Sequence, residues 1–400
     1  MQNIQEQSFI QVYAPKFFYV LFMIYAATLV IFAKPENEII ANLSGVVLVA
    51  FFMLYQLIYT SKTFYINSML FVYILFYMLC ILSLTWTLDV NYSIYTVTRM
   101  AQILINLVLL YNILKIFKVH EAIFAGILIG MLYNTLLATE LLSIAEPIYL
   151  KVRFIGTTTH PNSIGLLALY SILGSILLLQ NAKNKLWILL NLMNIFGSFY
   201  VIILAASRSS MVIGALIIGL FLLQVILNKQ SRFYLLGFAG VVFVMVVYFV
   251  DMHELLEKFN FAMERIAGIF GAFDGHHADS STAERLSFLH IMIEVFKENP
   301  ILGTGVNTSR VFLHGFYSHN NYIEILGTLG LVGLMIYYSA YVHLAWKISK
   351  VQAFWTKYYL FVFILVILLY DFAAVTFYSK DILMLLLVLH FMAEENSQIS

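Results

Sequence analysis

Arginine and histidine carry most of the reactive potential of this 400-residue chain, and both are unevenly distributed along it. A guanidinium fork holds phosphate oxygens in a bidentate, geometry-specific way, an ammonium acts as a point charge, and an imidazole exchanges a proton near neutral pH. Arg99, Arg153, Arg208, Arg265, Arg285 and Arg310, six of the seven arginines, fall on one side of the apolar runs described below. His160, His253, His276, His277, His290, His314 and His319, seven of the ten histidines, fall there too. On the opposite side ten of the 11 cations are lysine, Arg232 being the exception. Arginines also snorkel at helix ends, which accounts for single residues but not for the one-sided segregation. The pattern suits a ligand bearing phosphate oxygens.

Several of these residues have informative surroundings. Arg208 lies in Ala206-Ser207-Arg208-Ser209-Ser210, a link so short that its charge must sit at a membrane face or inside a bundle, where an unpaired charge costs several kcal/mol. After Arg153 comes His160-Pro161-Asn162-Ser163, with Thr159 or His160 near a cap position and Pro161 in a first turn, so that an anion could be held by outward N–H groups. Candidate acids are Glu140, Asp89, Glu324 and Asp371, each able simply to pair with an arginine; Glu324 shares a helix face with Asn320 and so could orient its neighbours. His319 stands at the mouth of an apolar run, where it could cap a helix or do chemistry, and His314 precedes it by five residues. His276, His277 and Asp279 form a cluster, but adjacent histidines on a glycine-flanked turn converge poorly on one ion, so no metal site is expected. Gly303-Thr304-Gly305 follows no strand and is no nucleotide fingerprint. Neither a cofactor nor a nucleic-acid partner is expected.

These residues must be positioned by membrane helices. Sixty-two per cent of the chain is hydrophobic and 11% charged, with a mean hydropathy of +0.90, a balance that excludes a water-soluble protein. A spanning helix needs roughly 20 apolar residues, because lipid offers backbone polar groups no partner. About 12 such runs are present, near 17–33, 39–60, 64–85, 96–117, 121–144, 162–180, 186–206, 209–227, 233–250, 321–345, 357–373 and 381–393. The expected fold is therefore all-α and integral to the membrane, with bundle spans over 1–250, a loop region over 251–320, and further spans and a tail over 321–400, forming one structural unit. Each loop on the lysine side carries at least one lysine, which predicts cytoplasmic N- and C-termini and puts the long loop outside. No removable signal peptide is expected, and the single Cys80 excludes a disulfide framework.

Within the loop, Leu255, Phe259, Met263 and Ile266 recur at helical spacing, predicting a surface helix over 252–270, then a turn at 271–280. Ser281-Thr282-Ala283-Glu284 reads as a capping box for a helix running to about Glu298, before Pro300, with Arg285 unfavourably in its first turn. Gly327, Gly330 and Gly333 mark the tenth span as one that another helix approaches closely.

Taken together, these pieces resemble a family. Arg153-Phe154-x-Gly156 with His160-Pro161-Asn162 and Gly165, Ser207-Arg208-Ser209, Glu284-Arg285, Asn299-Pro300-x-x-Gly303-x-Gly305, and His319-Asn320-x-Tyr322-x-x-x-Leu326-x-x-x-Gly330-x-x-Gly333 are similar to the O-antigen ligase and Wzy-type polymerase superfamily. Trp86-x-x-Asp89 with Arg99 is similar too, so that the resemblance covers about residues 86–380. It implies a GT-C-like membrane glycosyltransferase of the bacterial cytoplasmic membrane. The donor is a glycan on undecaprenyl diphosphate, the acceptor is a glycan or lipid-linked molecule, and other polysaccharide-assembly membrane proteins are possible partners. By resemblance, Arg153, Arg208 and Arg285 engage the diphosphate, His319 serves as base or acceptor-positioning group, and Asp371 is the late acid, with His314 a second candidate base. With that donor, outward arginines would meet the leaving diphosphate without a metal, and attack on the side opposite it would invert the anomeric centre. Without an appended domain for a large protein acceptor, polymerisation of O-antigen or capsular repeats is the expected reaction, and ligation the alternative. A lipid or polysaccharide flippase is the rival class, although no pair of similar halves is visible.

Overall fold

The computed structural model describes residues 2–59, 64–146, 148–150, 152–180, 182–227, 240, 253, 256–257, 259–261, 263 and 280–397. The expected span at 233–250, the surface helix at 252–270 and the turn carrying His276, His277 and Asp279 lie outside these residues, apart from the single positions named. Helices occupy the other expected spans: α1 (Gln2–Ile31), α2 (Glu38–Tyr59), α3 (Ser68–Leu82), α4 (Val90–Phe117), α5 (Glu121–Ala138), α6 (Pro161–Gln180), α7 (Lys185–Ala205) and α8 (Arg208–Leu227). The polar loop then gives α9 (Ser280–Glu298) and the single turn α10 (Ser309–Phe312), and the chain ends in α11 (Asn321–Ser349), α12 (Phe354–Tyr370) and α13 (Lys380–Ser397). Among the described residues nine helices are long and apolar enough to cross a membrane, while α12 is shorter.

Local chemistry sets where the helices begin and end. The α4 helix starts at Val90, six residues before the expected 96, because the Asp89 carboxylate caps it by accepting from the N–H groups of Asn91 and Tyr92 at 2.9 and 3.0 Å. Glu140 is not inside a span: α5 ends at Ala138, and Glu140 takes a left-handed φ of 57° in the turn that follows. An exposed carboxylate reaches water more easily there than within the bilayer. The α9 helix already includes Ser280, one residue ahead of the expected cap at Ser281, and its other end, Glu298 before Pro300, is as expected.

The chain divides into two compact units, each of two stretches: 1–55 with 119–276, and 56–118 with 277–400. In the first, α5 packs against α1, α6 and α7. A side chain at Gly126 would lie 2.4 Å from the Met23 carbonyl oxygen, and one at Gly130 would lie 2.5 Å from Val30, so small residues let α5 and α1 meet backbone to backbone. In the second unit α11 packs against α3, α9, α12 and α13.

The centre of the second unit is a break in α11. Gly330 has φ 65° and ψ −166°, a conformation essentially reserved to glycine, and it interrupts the helical hydrogen bonds. The segment after α9 fills the gap. Thr304 and Gly305 donate to the carbonyls of Gly327 and Thr328 at 3.2 and 2.8 Å, and Leu331 and Val332 donate to those of Pro300 and Ile301 at 2.9 and 3.2 Å. Every one of these groups would be an unpaired polar group in an apolar bundle without that strap. The glycine spacing serves the expected purpose only in part: Gly327 faces Met292 of the neighbouring helix α9, whereas Gly330 receives the turn backbone of Ile301 and Leu302, and Gly333 faces Leu329 and Ile325 of its own helix.

Candidate functional site

In the second unit the residues of interest gather where α11 begins. Asn320 is the N-cap, its side chain accepting from the N–H groups of Tyr322 and Ile323 at 3.0 and 3.2 Å. His319 therefore does not cap the helix; it precedes the cap, with a left-handed φ of 55°. The Glu324 carboxylate, fully buried one turn into α11, accepts from the Ser318 N–H at 3.0 Å and from the Ser309 hydroxyl. It thereby ties the start of α11 to Ser309 of α10 and to Ser318, the residue before His319.

The His319 ring lies 4.2 Å from that of Tyr317 and is parallel, within 6°, to that of Phe288 on α9, at 6.3 Å. Neither ring nitrogen has a hydrogen-bond partner among the described residues. Burial pushes its pKa below the ordinary histidine value, the Arg285 guanidinium lowers it further, and Glu284 partly opposes both. At neutral pH the imidazole is uncharged and can accept a proton. Arg285 has no ion pair or hydrogen bond among the described residues, so its fork is not committed to the protein.

Arg310 is different. Its guanidinium donates to Asn307 Oδ1 at 3.3 Å and to the Gly315 carbonyl at 2.9 Å, and it lies over the rings of Tyr92 and Tyr317 at 5.7 and 5.8 Å. It braces the turn 307–317. Exposed His314 belongs to that turn, which is tied by Gly315 N–H donating to the Arg310 carbonyl. Arg99 lies over the Tyr378 ring at 5.4 Å.

Beside this turn Asp371 is fully buried and takes only neutral partners: the Thr376 hydroxyl at 2.5 Å, the Tyr338 hydroxyl at 2.8 Å and Asn321 Nδ2 at 3.4 Å. Asn321 also accepts from the N–H groups of Thr376 and Phe377 at 2.9 and 3.1 Å, knotting the start of α11 to the turn after α12. Neither Asp371 nor Glu324 pairs with an arginine among the described residues, contrary to the simple ion-pair expectation. Reasoning from the sequence passed over Asn321, Tyr338, Tyr317 and the bracing by Arg310. The one available signal was a second asparagine directly after the capping one.

In the first unit, Arg153 is half-buried on a two-residue β-ribbon, β1 (Tyr149–Leu150) pairing antiparallel with β2 (Arg153–Phe154). Its Nε donates to the Ala205 carbonyl at 2.9 Å and its Nη2 to Asn162 Oδ1 at 3.2 Å. Ala205 ends α7 and Ala206 closes it with φ 45°, so Arg153 is tied to the short link from which Arg208 opens α8. His160 caps α6: its Nδ1 accepts from Asn162 N–H at 3.1 Å, and its carbonyl accepts from Ser163 and Ile164. These donors are occupied and Pro161 has none, so the helix start does not offer the open anion site expected of it.

Apolar helices of spanning length, joined by polar turns that carry arginine and histidine, define an all-α multi-pass membrane protein. Residues 192–338, from within α7 to Tyr338 of α11, match the family model described as O-antigen ligase (Wzy_C). This match is consistent with the O-antigen ligase and Wzy-type polymerase superfamily that the motifs resemble. Arg208, Arg285 and His319 fall inside the match, and Arg99, Arg153 and Asp371 outside it. No curated protein matches the chain.

Proposed function

We propose that the chain is a membrane glycosyltransferase that takes a glycan from undecaprenyl diphosphate on the outer face of the bacterial cytoplasmic membrane and joins it to another lipid-linked repeat unit, as an O-antigen or capsular polymerase. The observation that carries this reading is the His319 ring: half-buried, uncharged at neutral pH, with unengaged nitrogens and the uncommitted Arg285 guanidinium in its surroundings. His319 takes the proton of an acceptor hydroxyl as that oxygen attacks the anomeric carbon. The C–O bond to the diphosphate breaks, and undecaprenyl diphosphate leaves with the electron pair and inversion at the anomeric centre. Arg285 meets the charge that develops on the leaving group. Arg153 and Arg208 carry the same assignment by residue type and resemblance, and fixed cations make a metal unnecessary to the step.

The topology belonging to this proposal has about 12 spans, cytoplasmic termini, an extracytoplasmic loop between spans 9 and 10, and the division 1–250, 251–320 and 321–400. Other polysaccharide-assembly membrane proteins are its expected neighbours. The description of the matched family favours a second reading, ligation of a finished glycan to lipid core or another acceptor. Deleting the gene and analysing surface polysaccharide separates them: single repeats on the usual anchor mean polymerase, long chains accumulating on carrier lipid mean ligase. Purified protein that moves a radiolabelled lipid-linked glycan across vesicles without transferring it would mean a flippase instead.

A further inference from the structure

Beside His319 lies an aromatic surface that the transfer step itself does not use. Phe316 is 54% exposed although it belongs to the polar turn after α10, and its ring stacks on Phe288 at 6.1 Å with 26° between planes. Phe288 is in turn parallel to the His319 ring, and the Tyr317 ring lies 4.2 Å from that of His319. The array is rigidly mounted. Phe288 packs on buried Met292, Val295 and Leu313, while Phe316 N–H donates to the Leu313 carbonyl at 3.0 Å and Gly315 N–H to that of Arg310 at 2.8 Å. A large apolar ring facing outward from a turn costs solvation unless something covers it.

We propose that Phe288, Phe316 and Tyr317 form an acceptor subsite that holds a pyranose ring by its C–H face, with the hydroxyl edge of that sugar directed at His319. The assignment rests on the glycosyltransferase reading above, because it is the acceptor hydroxyl that must meet His319. A sugar ring is amphipathic: its axial C–H bonds suit an aromatic face, and its hydroxyls need hydrogen-bonding groups at the edge. The turn and α9 together supply both, rings from Phe288 and Phe316 and polar groups from His319, Tyr317 and Arg285. The rival occupant is the bilayer interface, where aromatic residues also gather, but a bilayer needs only apolar bulk and has no use for a ring face parallel to an imidazole.

The test replaces Phe316 by Ala, Leu and Trp in the full-length protein in nanodiscs, with thermal unfolding as the check on folding. Transfer is followed against acceptor concentration at saturating donor, and binding of a free oligosaccharide of one repeat unit is measured by calorimetry. Phe316→Ala and Phe316→Leu should each raise the acceptor KM and weaken oligosaccharide binding on the order of 10-fold, with a smaller change in kcat and no change in donor KM, and Phe316→Trp should restore both. If leucine serves as well as phenylalanine, the ring is a bilayer anchor or packing group and the subsite is wrong. Wild-type protein that binds the oligosaccharide through Phe316 yet transfers nothing would retain the subsite and overturn the enzymatic reading; transfer indifferent to Phe316 would do the reverse.

Discussion

His319 and His314 both have left-handed backbones, yet their side chains differ in kind: His319 is half-buried among aromatic rings, while His314 is exposed. His319→Ala should therefore lower kcat by about 100-fold to 10,000-fold while donor binding survives, and His314→Ala should retain most activity; single-turnover transfer with labelled donor checks both. A dead, folded His314→Ala beside an active His319→Ala would move the base upstream. The proposed base works uncharged, and its pKa is held below the ordinary histidine value by burial and by Arg285. Activity should accordingly be full above that pKa and fall as pH drops through it, so the acid limb of kcat/KM should lie below about 6.5. Removing the cation in Arg285→Gln should move the limb to higher pH, and removing the anion in Glu284→Gln should move it lower. An unmoved limb in both variants would show that another group titrates. Among the arginines, Arg285→Lys and Arg208→Lys keep charge and lose the fork, and should impair turnover. Arg153→Lys should also cost stability, because Nε and Nη2 hold Ala205 and Asn162. Lys183→Gln should change neither, as read by transfer rate and unfolding temperature.

Among the elements, α11 decides whether the site forms. Its break at Gly330 is held open by the strap 300–305, and the strap leads into the turn bearing Arg310, Tyr317 and His319. Gly330→Ala would force a side chain into a φ of 65° and within 2.2 Å of the Ile301 carbonyl oxygen. A loss of at least ~1–3 kcal/mol is expected from backbone strain alone, visible as a lower unfolding temperature in detergent, whereas Gly219→Ala, with open space around it, should be tolerated. Glu324→Gln tests the fastening of the turn. An amide cannot accept from both the Ser318 N–H and the Ser309 hydroxyl through two oxygens, and leaving a buried donor unpaired costs about 1–3 kcal/mol. Slower transfer with unchanged donor affinity would mark Glu324 as a positioning residue; unchanged kinetics would remove it from the site.

For the molecule as a whole, charge marks the two ends of the second unit. At the ends of α4, α11 and α13 far from His319, Lys118 pairs with Glu395 at 2.8 Å, Lys347 pairs with Glu394, and the Tyr111 hydroxyl donates to Glu394 at 3.0 Å. These are the lysines that the positive-inside rule assigns to the cytoplasm. Reporter fusions after Lys118 and Ser349 should read cytoplasmic, and a fusion in the loop ahead of α9 should read external; the opposite pattern would invert the proposed topology. By itself the sequence determined the membrane class and which described stretches form helices, though α1 begins 15 residues ahead of the expected start and α4 six ahead, and it showed the resemblance that the family match over 192–338 supports, because apolar run length and the order of arginine, histidine and glycine motifs are local properties of the chain. Only the tertiary structure decided what those residues do. It showed that of the three glycines Gly330 receives the strap while Gly327 faces helix α9, that Arg310 is engaged in bracing while Arg285 is not, and that the buried acids take hydroxyls and amides rather than arginines. Such pairings join residues far apart in the chain, and composition and spacing do not say which distant donor reaches a given acceptor first.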